Sequence, residues 1–339
     1  MSKSLLTVIL PVHNGAAFVA SAIRSVLNQT YKDFELWVLE NGSTDRTAEI
    51  VRSITDPRIK LFELGPVGIQ GALQYGIENT STEWLARMDA DDLMFPNRLE
   101  VQMNFIRKNP KIAFIGSAYA ILTPSGHILE PVLHSGTREV TKDLLACMKR
   151  FFADPSVVFN RHAALNAGGV DKEFKKIDGP PLFFRLLTKG KGWEIAEHLH
   201  LYRLRSNSLS RGMEHAQESR RVRAKYAPEL LDALSKNLPP KSFWQHIARL
   251  ELISGDPKSV LQAARFMRKE GPFESEASRM IARSLISRFN PTYYTRRNFD
   301  KYRHRRDWEE LFWPLLESDP YVRGIKTNGQ KNDNFSGKS

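Results

Sequence analysis

Leu85-Ala86-Arg87-Met88-Asp89-Ala90-Asp91-Asp92 runs from an apolar, strand-like stretch straight into three carboxylates within four residues. Such a cluster repels itself unless a cation sits in it. A hard divalent ion with oxygen ligands, bridging to phosphate, is its natural partner. Taken alone, the cluster reads as readily as an acidic surface turn. Its position shifts the balance toward a ligand site, because residues 84–88 read as a strand of an open α/β sheet. Such sheets bind ligands at the carboxyl ends of their strands.

The flanking segments supply that sheet. Residues 6–12 form a continuous apolar run of strand length, expected to be buried on both faces. Phe18, Val19, Ala22, Ile23, Val26 and Leu27 then recur at helical spacing. Residues 34–39 read as a second strand, and Ser43 or Thr44 as the cap of a helix running to about Ile54. A third strand over 58–62, a helix over 68–79 and the strand over 84–88 follow, and Pro96 suits the first turn of the next helix. Short links between alternating strands and helices imply a parallel sheet covered on both faces. Beyond Pro110, residues 112–122 and 127–133 suggest a hairpin about Thr123-Pro124-Ser125-Gly126, with later strands over 156–160 and 193–204. From Met213 the pattern becomes helical, with helix–helix turns expected at Gly255-Asp256-Pro257 and Glu270-Gly271-Pro272. The tail after Val322 has the composition of a disordered segment.

Bulk properties narrow the class. At 41% hydrophobic and 26% charged residues, the composition is that of a soluble globular protein. No apolar run approaches the roughly 18 residues of a membrane span, and the first residues read as leading into a strand rather than as a signal peptide. The single Cys147 excludes an intrachain disulfide and any cysteine-rich metal site. These features together suggest the cytoplasm. The net charge is +12, with most of the excess beyond residue 212. A basic surface of this kind attracts nucleic acid, anionic lipid or anionic glycan. No nucleic-acid-binding pattern accompanies it, so nucleic acid is not expected as a partner.

Several segments, in order, resemble family 2 glycosyltransferases of the GT-A nucleotide-sugar fold. They are Thr7-Val8-Ile9-Leu10-Pro11-Val12-His13-Asn14, the stretch Ser25-Val26-Leu27-Asn28-Gln29-Thr30-Tyr31, and Asn41-Gly42-Ser43-Thr44-Asp45. The acidic segment follows, with Pro96, Arg98, Leu99 and Gln102 after it. Pro155-Ser156-Val157-Val158-Phe159, Gly168-Gly169-Val170 and Tyr202-Arg203 through Ser208-Leu209-Ser210 complete the set. The resemblance covers about residues 5–212. It implies a Rossmann-like α/β fold with a mostly parallel central sheet flanked by helices, followed by a C-terminal helical region. The expected organisation is a GT-A domain over 1–212, with a nucleotide-binding half over about 1–110 and an acceptor half over 111–212. A helical region over 213–322 and a disordered tail over 323–339 would follow.

The resemblance also implies a site. Pro11, Val12, His13 and Asn14 would border the nucleotide, largely through backbone; Asn14-Gly15 is equally a good turn, and a lone His13 equally packs. Glu40 and Asn41 stand where two aspartates are common, and Asn41 can donate to and accept from a uracil edge. Asp91, with Asp89, would hold Mg²⁺ or Mn²⁺ on the donor diphosphate, with Ala90 and Arg87 at the donor. A sheet-face salt bridge is the alternative for Arg87, and Asp92 reads as a cap or supporting group. Arg205, where the family often has His, would face the diphosphate or form a salt bridge. The family's base is an aspartate after a glutamate, ahead of a Leu-x-x-Arg helix. Here Asp178-Gly179-Pro180-Pro181-Leu182 puts Gly179 at the base position, and Asp178 is the candidate base. An Asp-Gly turn is the competing reading.

The resulting expectation is an inverting, metal-dependent transferase. It would move a sugar from a nucleotide-sugar, best a UDP-sugar, to a hydroxyl of a glycan or lipid-linked glycan in cell-surface polysaccharide synthesis. A catalytically silent sugar-nucleotide-binding or scaffold subunit, and more remotely a nucleotidyltransferase, are the alternatives. Arg220, Arg221, Arg223, Arg296-Arg297 and Arg303-His304-Arg305-Arg306, with Tyr293, Tyr294, Trp308, Phe312 and Trp313, suit an anionic membrane surface on the cytoplasmic face. They equally suit a solvated face over a helical core.

Overall fold

The computed structural model describes residues 5–122, 128–131, 133, 135–146, 152–175, 177–205, 213–230 and 302–316. The expectations set on residues 231–301 and 317–339, including the helix–helix turns, Arg296-Arg297 and the tail, lie outside the described residues. Contacts divide the chain into two units, and the division is not a single cut at 212. The first comprises residues 1–120, 133–202 and 207–238; the second comprises 121–132, 203–206 and 239–339.

In the first unit, β1 (Leu6–Val12) is buried along its whole length. It pairs in parallel with β2 (Phe34–Glu40) on one side and β4 (Trp84–Arg87) on the other, and β3 (Ile59–Glu63) adds to β2. Beyond β4 the sheet turns antiparallel, through β9 (Val158–Asn160) to β6 (Ile112–Leu122). The last two residues of β6 count with the second unit. A short β5 (Leu93–Met94) and β8 (Arg138–Val140) pair with the long β10 (Lys191–Arg203). Central burial explains why β1 carries no polar alternation: both its faces meet helices.

The helices follow their apolar stripes. In α1 (Val19–Leu27), Val19, Ala22, Ile23 and Val26 are fully buried, the valines and the isoleucine each contributing up to about 1.5–3 kcal/mol. A Cβ on Gly76 of α3 (Gly68–Asn79) would lie 3.0 Å from Ile9 Cγ2, so the absence of a side chain lets that helix lie close on β1.

Three local expectations move. The second helix, α2 (Thr47–Arg52), begins later than a Ser43 or Thr44 cap predicts. Those hydroxyls are spent on the first loop: Ser43 Oγ accepts from Asn14 N at 2.9 Å, and Thr44 Oγ1 donates to Asn14 Oδ1 at 3.3 Å, beside a bond from Thr44 N to the same oxygen at 2.8 Å. Asp45 Oδ1 takes the helix N-terminal N–H of Thr47 at 3.0 Å instead. The fourth helix, α4 (Arg98–Lys108), starts after Pro96, whose carbonyl accepts from Thr30 N at 2.8 Å. Residues 154–156 form a 3-10 turn ahead of β9, because Ser156 Oγ bonds Ala153 O at 2.7 Å within that turn.

Asn14 sits at φ 52°. Asn14→Ala should therefore cost about 1–2 kcal/mol, from left-handed backbone strain and the lost bond to Thr44. Urea unfolding should find Asn14→Gly milder, since glycine removes only the side-chain bond; equal losses would refute the strain argument.

The first unit also carries α5 (Lys142–Ala146), α6 (Arg161–Asn166), α7 (Gly179–Leu186) and α8 (Met213–Tyr226). In the second unit, residues 121–122 pair antiparallel with β7 (Ile128–Pro131), as the expected hairpin requires. β11 (Tyr302–His304) pairs with β7 and leads into α9 (Arg306–Leu316). The helical pattern expected from Met213 is thus interrupted by a short strand at Tyr302–His304. Arg305 stacks on Trp308 at 3.7 Å and bonds Glu130 at 3.0 Å. No described helix is long and apolar enough to cross a membrane.

Candidate active site

The loops after β1, β2, β3 and β4 gather at the carboxyl edge of the parallel strands. Gly15, after β1, lies close enough that a Cβ there would stand 3.8 Å from Ala90 Cβ in the acidic turn. Pro11 and Val12 are buried, whereas His13 and Asn14 are exposed. His13 Nδ1 donates to Asn41 O at 2.9 Å. Asn41 is buried and its Oδ1 accepts from Gly68 N at 2.8 Å; Glu40 is buried with Oε1 accepting from Ser43 N. Gly42 follows at φ +70°, and a Cβ there would meet Pro66 N at 2.8 Å. Only glycine allows this close approach of the β2 and β3 loops.

At the end of β4, the three carboxylates separate by environment. Asp92 is buried, and His200 Nε2 donates to its Oδ2 at 2.8 Å. His200 Nδ1 accepts from Arg98 Nη1 at 3.1 Å, which sets the tautomer of the ring. Burial, followed by the charge of Arg98, holds the imidazole well below its usual pKa, so it is neutral at pH 7. Arg98 in turn donates to Arg87 O at 2.9 Å and Gln102 Oε1 at 3.1 Å, and Gln102 donates to Ser156 O at 2.8 Å. Burial pushes the Arg98 guanidinium down to about 9, still a cation at neutral pH. This buried network makes Asp92 a support for the turn. Asp89 and Asp91 remain partly accessible.

Arg87 closes the other side. It is 6% exposed, and Nη2 donates to Asp89 Oδ1 at 3.2 Å while Nη1 binds Asp178 Oδ2. The salt-bridge alternative for Arg87 is thus the arrangement present. Burial acts to lower its pKa, but Asp178, Asp89 and Asp154 outweigh that and raise it. Asp178 is buried at the N-terminus of α7, and its carboxyl is pushed up to about 6, first by burial and then by Asp154 and Asp89, with Arg87 opposing. Arg205 falls in the second unit.

Hard oxygen donors that are partly open fit a divalent cation, and Asp89 and Asp91 meet that description. Among the described residues no three His, Cys, Asp or Glu side chains gather into a metal-binding group. Sequence reasoning missed His200, the centre of the buried network, and Asp154, which joins the Arg87 cluster. Pro180-Pro181 and the Gly179 vacancy were the available signals for the second.

This arrangement, a parallel sheet with an acidic turn at its carboxyl edge and an antiparallel extension, is a GT-A fold. Residues 7–167 match the model for Glycosyl transferase family 2. The O-antigen biosynthesis glycosyltransferase WbnJ of Escherichia coli is 28% identical over 215 residues, covering 61% of this chain and 82% of WbnJ. The uncharacterised glycosyltransferase RC0461 of Rickettsia conorii is 35% identical over 137 residues, 40% of this chain but only 22% of that protein. The crystal structure of S. aureus TarS 1-349 in complex with UDP-GlcNAc superposes with a TM-score of 0.53 at 12% identity, covering 98% of this chain and 93% of that one. That likeness concerns the fold.

Proposed function

We propose that the protein is an inverting, metal-dependent glycosyltransferase that moves a sugar from a UDP-sugar to a hydroxyl of a glycan or lipid-linked glycan in cell-surface polysaccharide synthesis. The observation that carries this reading is the contact of Asp89, in the acidic turn that also holds Asp91, with the buried Arg87–Asp178 pair at the carboxyl edge of the sheet. WbnJ's role in O-antigen biosynthesis and the UDP-GlcNAc bound to TarS support the substrate class.

In this reading the β1 loop and Asn41 line the nucleotide. Asn41 Oδ1 is fixed by Gly68 N, which leaves the Nδ2 donors of the amide as its contribution to a base edge. Asp91, aided by Asp89, would hold Mg²⁺ or Mn²⁺, which when bound stabilises the negative charge of the departing diphosphate. Arg87 fixes Asp89 and Asp178 relative to one another. Asp178 is the candidate base on the acceptor side, and a carboxyl raised to about 6 is well matched to accepting a proton near neutral pH. The buried Asp92–His200–Arg98 chain keeps the acidic turn in place, with the His200 imidazole held neutral by burial.

A panel of nucleotide-sugars with and without Mn²⁺ tests the reading by thermal shift. A true donor stabilises the folded protein by RT ln(1 + [L]/Kd) and so raises its melting temperature. UDP-sugars should stabilise the protein, and Mn²⁺ should enlarge the effect. Stabilisation by no nucleotide-sugar would refute the proposal; stabilisation without turnover would favour the silent subunit.

A further inference from the structure

Gly179 opens α7 directly after Asp178, and a carboxylate from elsewhere in the chain occupies the volume beside it. A Cβ built at 179 would overlap Asp154 Oδ2, with Asp154 Cγ 2.5 Å and Asp154 Cβ 3.0 Å away. Asp154 therefore fills the space in which a side chain at 179 would begin. The turn that carries it is latched to its neighbours. Arg87 N donates to Val157 O at 2.9 Å, Gln102 Nε2 to Ser156 O at 2.8 Å, and Ser117 N to Ser156 Oγ at 3.1 Å. Asp154 acts electrostatically on both Arg87 and Asp178. It is only partly buried, whereas Asp178 is buried. One guanidinium thus serves three carboxylates, and of Asp154 and Asp178 the former is the more open to solvent.

We propose that Asp154 is a further catalytic residue, which forms with Asp178 a two-carboxylate base facing the acceptor; this rests on the transferase reading above. The acceptor hydroxyl hydrogen-bonds Asp154 Oδ2. As its oxygen bonds to the anomeric carbon, its proton passes to the carboxylates. The bond from that carbon to the phosphate oxygen breaks, and its electron pair leaves with the nucleoside diphosphate. The competing role is electrostatic, since an anion against the first turn of α7 favours that helix.

The test is UDP release, with Mn²⁺ and water as acceptor, from UDP-GlcNAc, UDP-glucose and UDP-galactose. Asp154→Asn should slow release by about 10²-fold or more, with Mn²⁺–UDP affinity by calorimetry unchanged. Asp154→Ala combined with Gly179→Asp returns a carboxylate to the same space from the other side. That double variant should recover most of the lost rate, which Asp154→Ala alone should not. A wild-type rate in Asp154→Asn overturns the assignment. So does a slow Asp154→Asn that the double variant fails to recover, which would leave Asp154 as support for α7. If Asp154→Asn folds poorly, the double variant decides by itself. No UDP release by the wild-type protein overturns the transferase reading and this assignment together.

Discussion

Asp91→Ala should lower transfer by about 10²–10³-fold, because under the proposed function it removes a charged oxygen ligand where negative charge develops on the leaving group. The protein itself should remain folded. Asp91 is only partly buried, while the turn it sits on is held by other groups. Asp92 N donates to Asp89 O at 3.3 Å, and the Asp92 side chain is locked to His200 at 2.8 Å. Loss of Asp91 leaves that buried chain untouched, so the expected change in stability is small, as for a surface substitution away from a packed network. Calorimetry separates the metal role from a packing role. In the wild type, Mn²⁺ should tighten UDP binding; in Asp91→Ala that enhancement should vanish while weak metal-free binding survives. An unchanged Mn²⁺-dependent affinity for UDP would remove Asp91 from the metal site.

The parallel half of the fold was legible because its signals are local. An unbroken apolar run such as Leu6 to Val12 reads as a doubly covered strand, and the acidic turn lies at the end of another. The parts that moved were decided by contacts distant in sequence. Ser43 and Thr44 are good helix caps by type, yet they are consumed by Asn14, 29 and 30 positions away. Nothing near position 43 announces that competition. Pro96 likewise loses its role as first helical residue to a bond from Thr30. In the site, Asp89 and Asp91 stood out as a cluster, but their differing fates from Asp92 depended on His200, 108 positions beyond Asp92. Histidine inside a strand gives no local hint of a buried carboxylate partner. Asp154 was hidden for a similar reason. Gly179 showed that a side chain was missing, and only the packing of the 154–156 turn against α7 reveals which carboxylate fills the space. Arg87 had one reading from the resemblance, at the donor, and one from strand alternation, a salt bridge; its ion pairs with Asp89 and Asp178 depend on a residue 91 positions away that strand alternation does not reveal.

Asp178→Asn has two expected consequences with different causes. Turnover should fall by about 10²–10⁴-fold, the usual contribution of a general base. Donor affinity should hold, because Asp178 lies with Arg87 rather than among the residues assigned to the nucleotide. Asn preserves the size and the turn-forming capacity of Asp, so α7 should still begin at Gly179. The second consequence concerns stability. The carboxyl of Asp178 is raised from 3.8 to about 6 in the folded protein. A raised carboxyl contributes stability that is fully present below about pH 3.8 and is lost as pH rises through about 6. At 1.36 kcal/mol per unit, the loss is on the order of 3 kcal/mol. Asn cannot ionise and does not suffer it. The variant should therefore gain on the wild type between pH 4 and pH 7, whatever constant penalty arises from leaving Arg87 with fewer partners. Urea unfolding of both proteins at the two pH values measures the difference directly. A gap that is the same at pH 4 and pH 7 would mean that Asp178 is not the buried, proton-retaining group described above. Near-normal turnover in the same variant would remove Asp178 from the base and leave it as a clamp on Arg87.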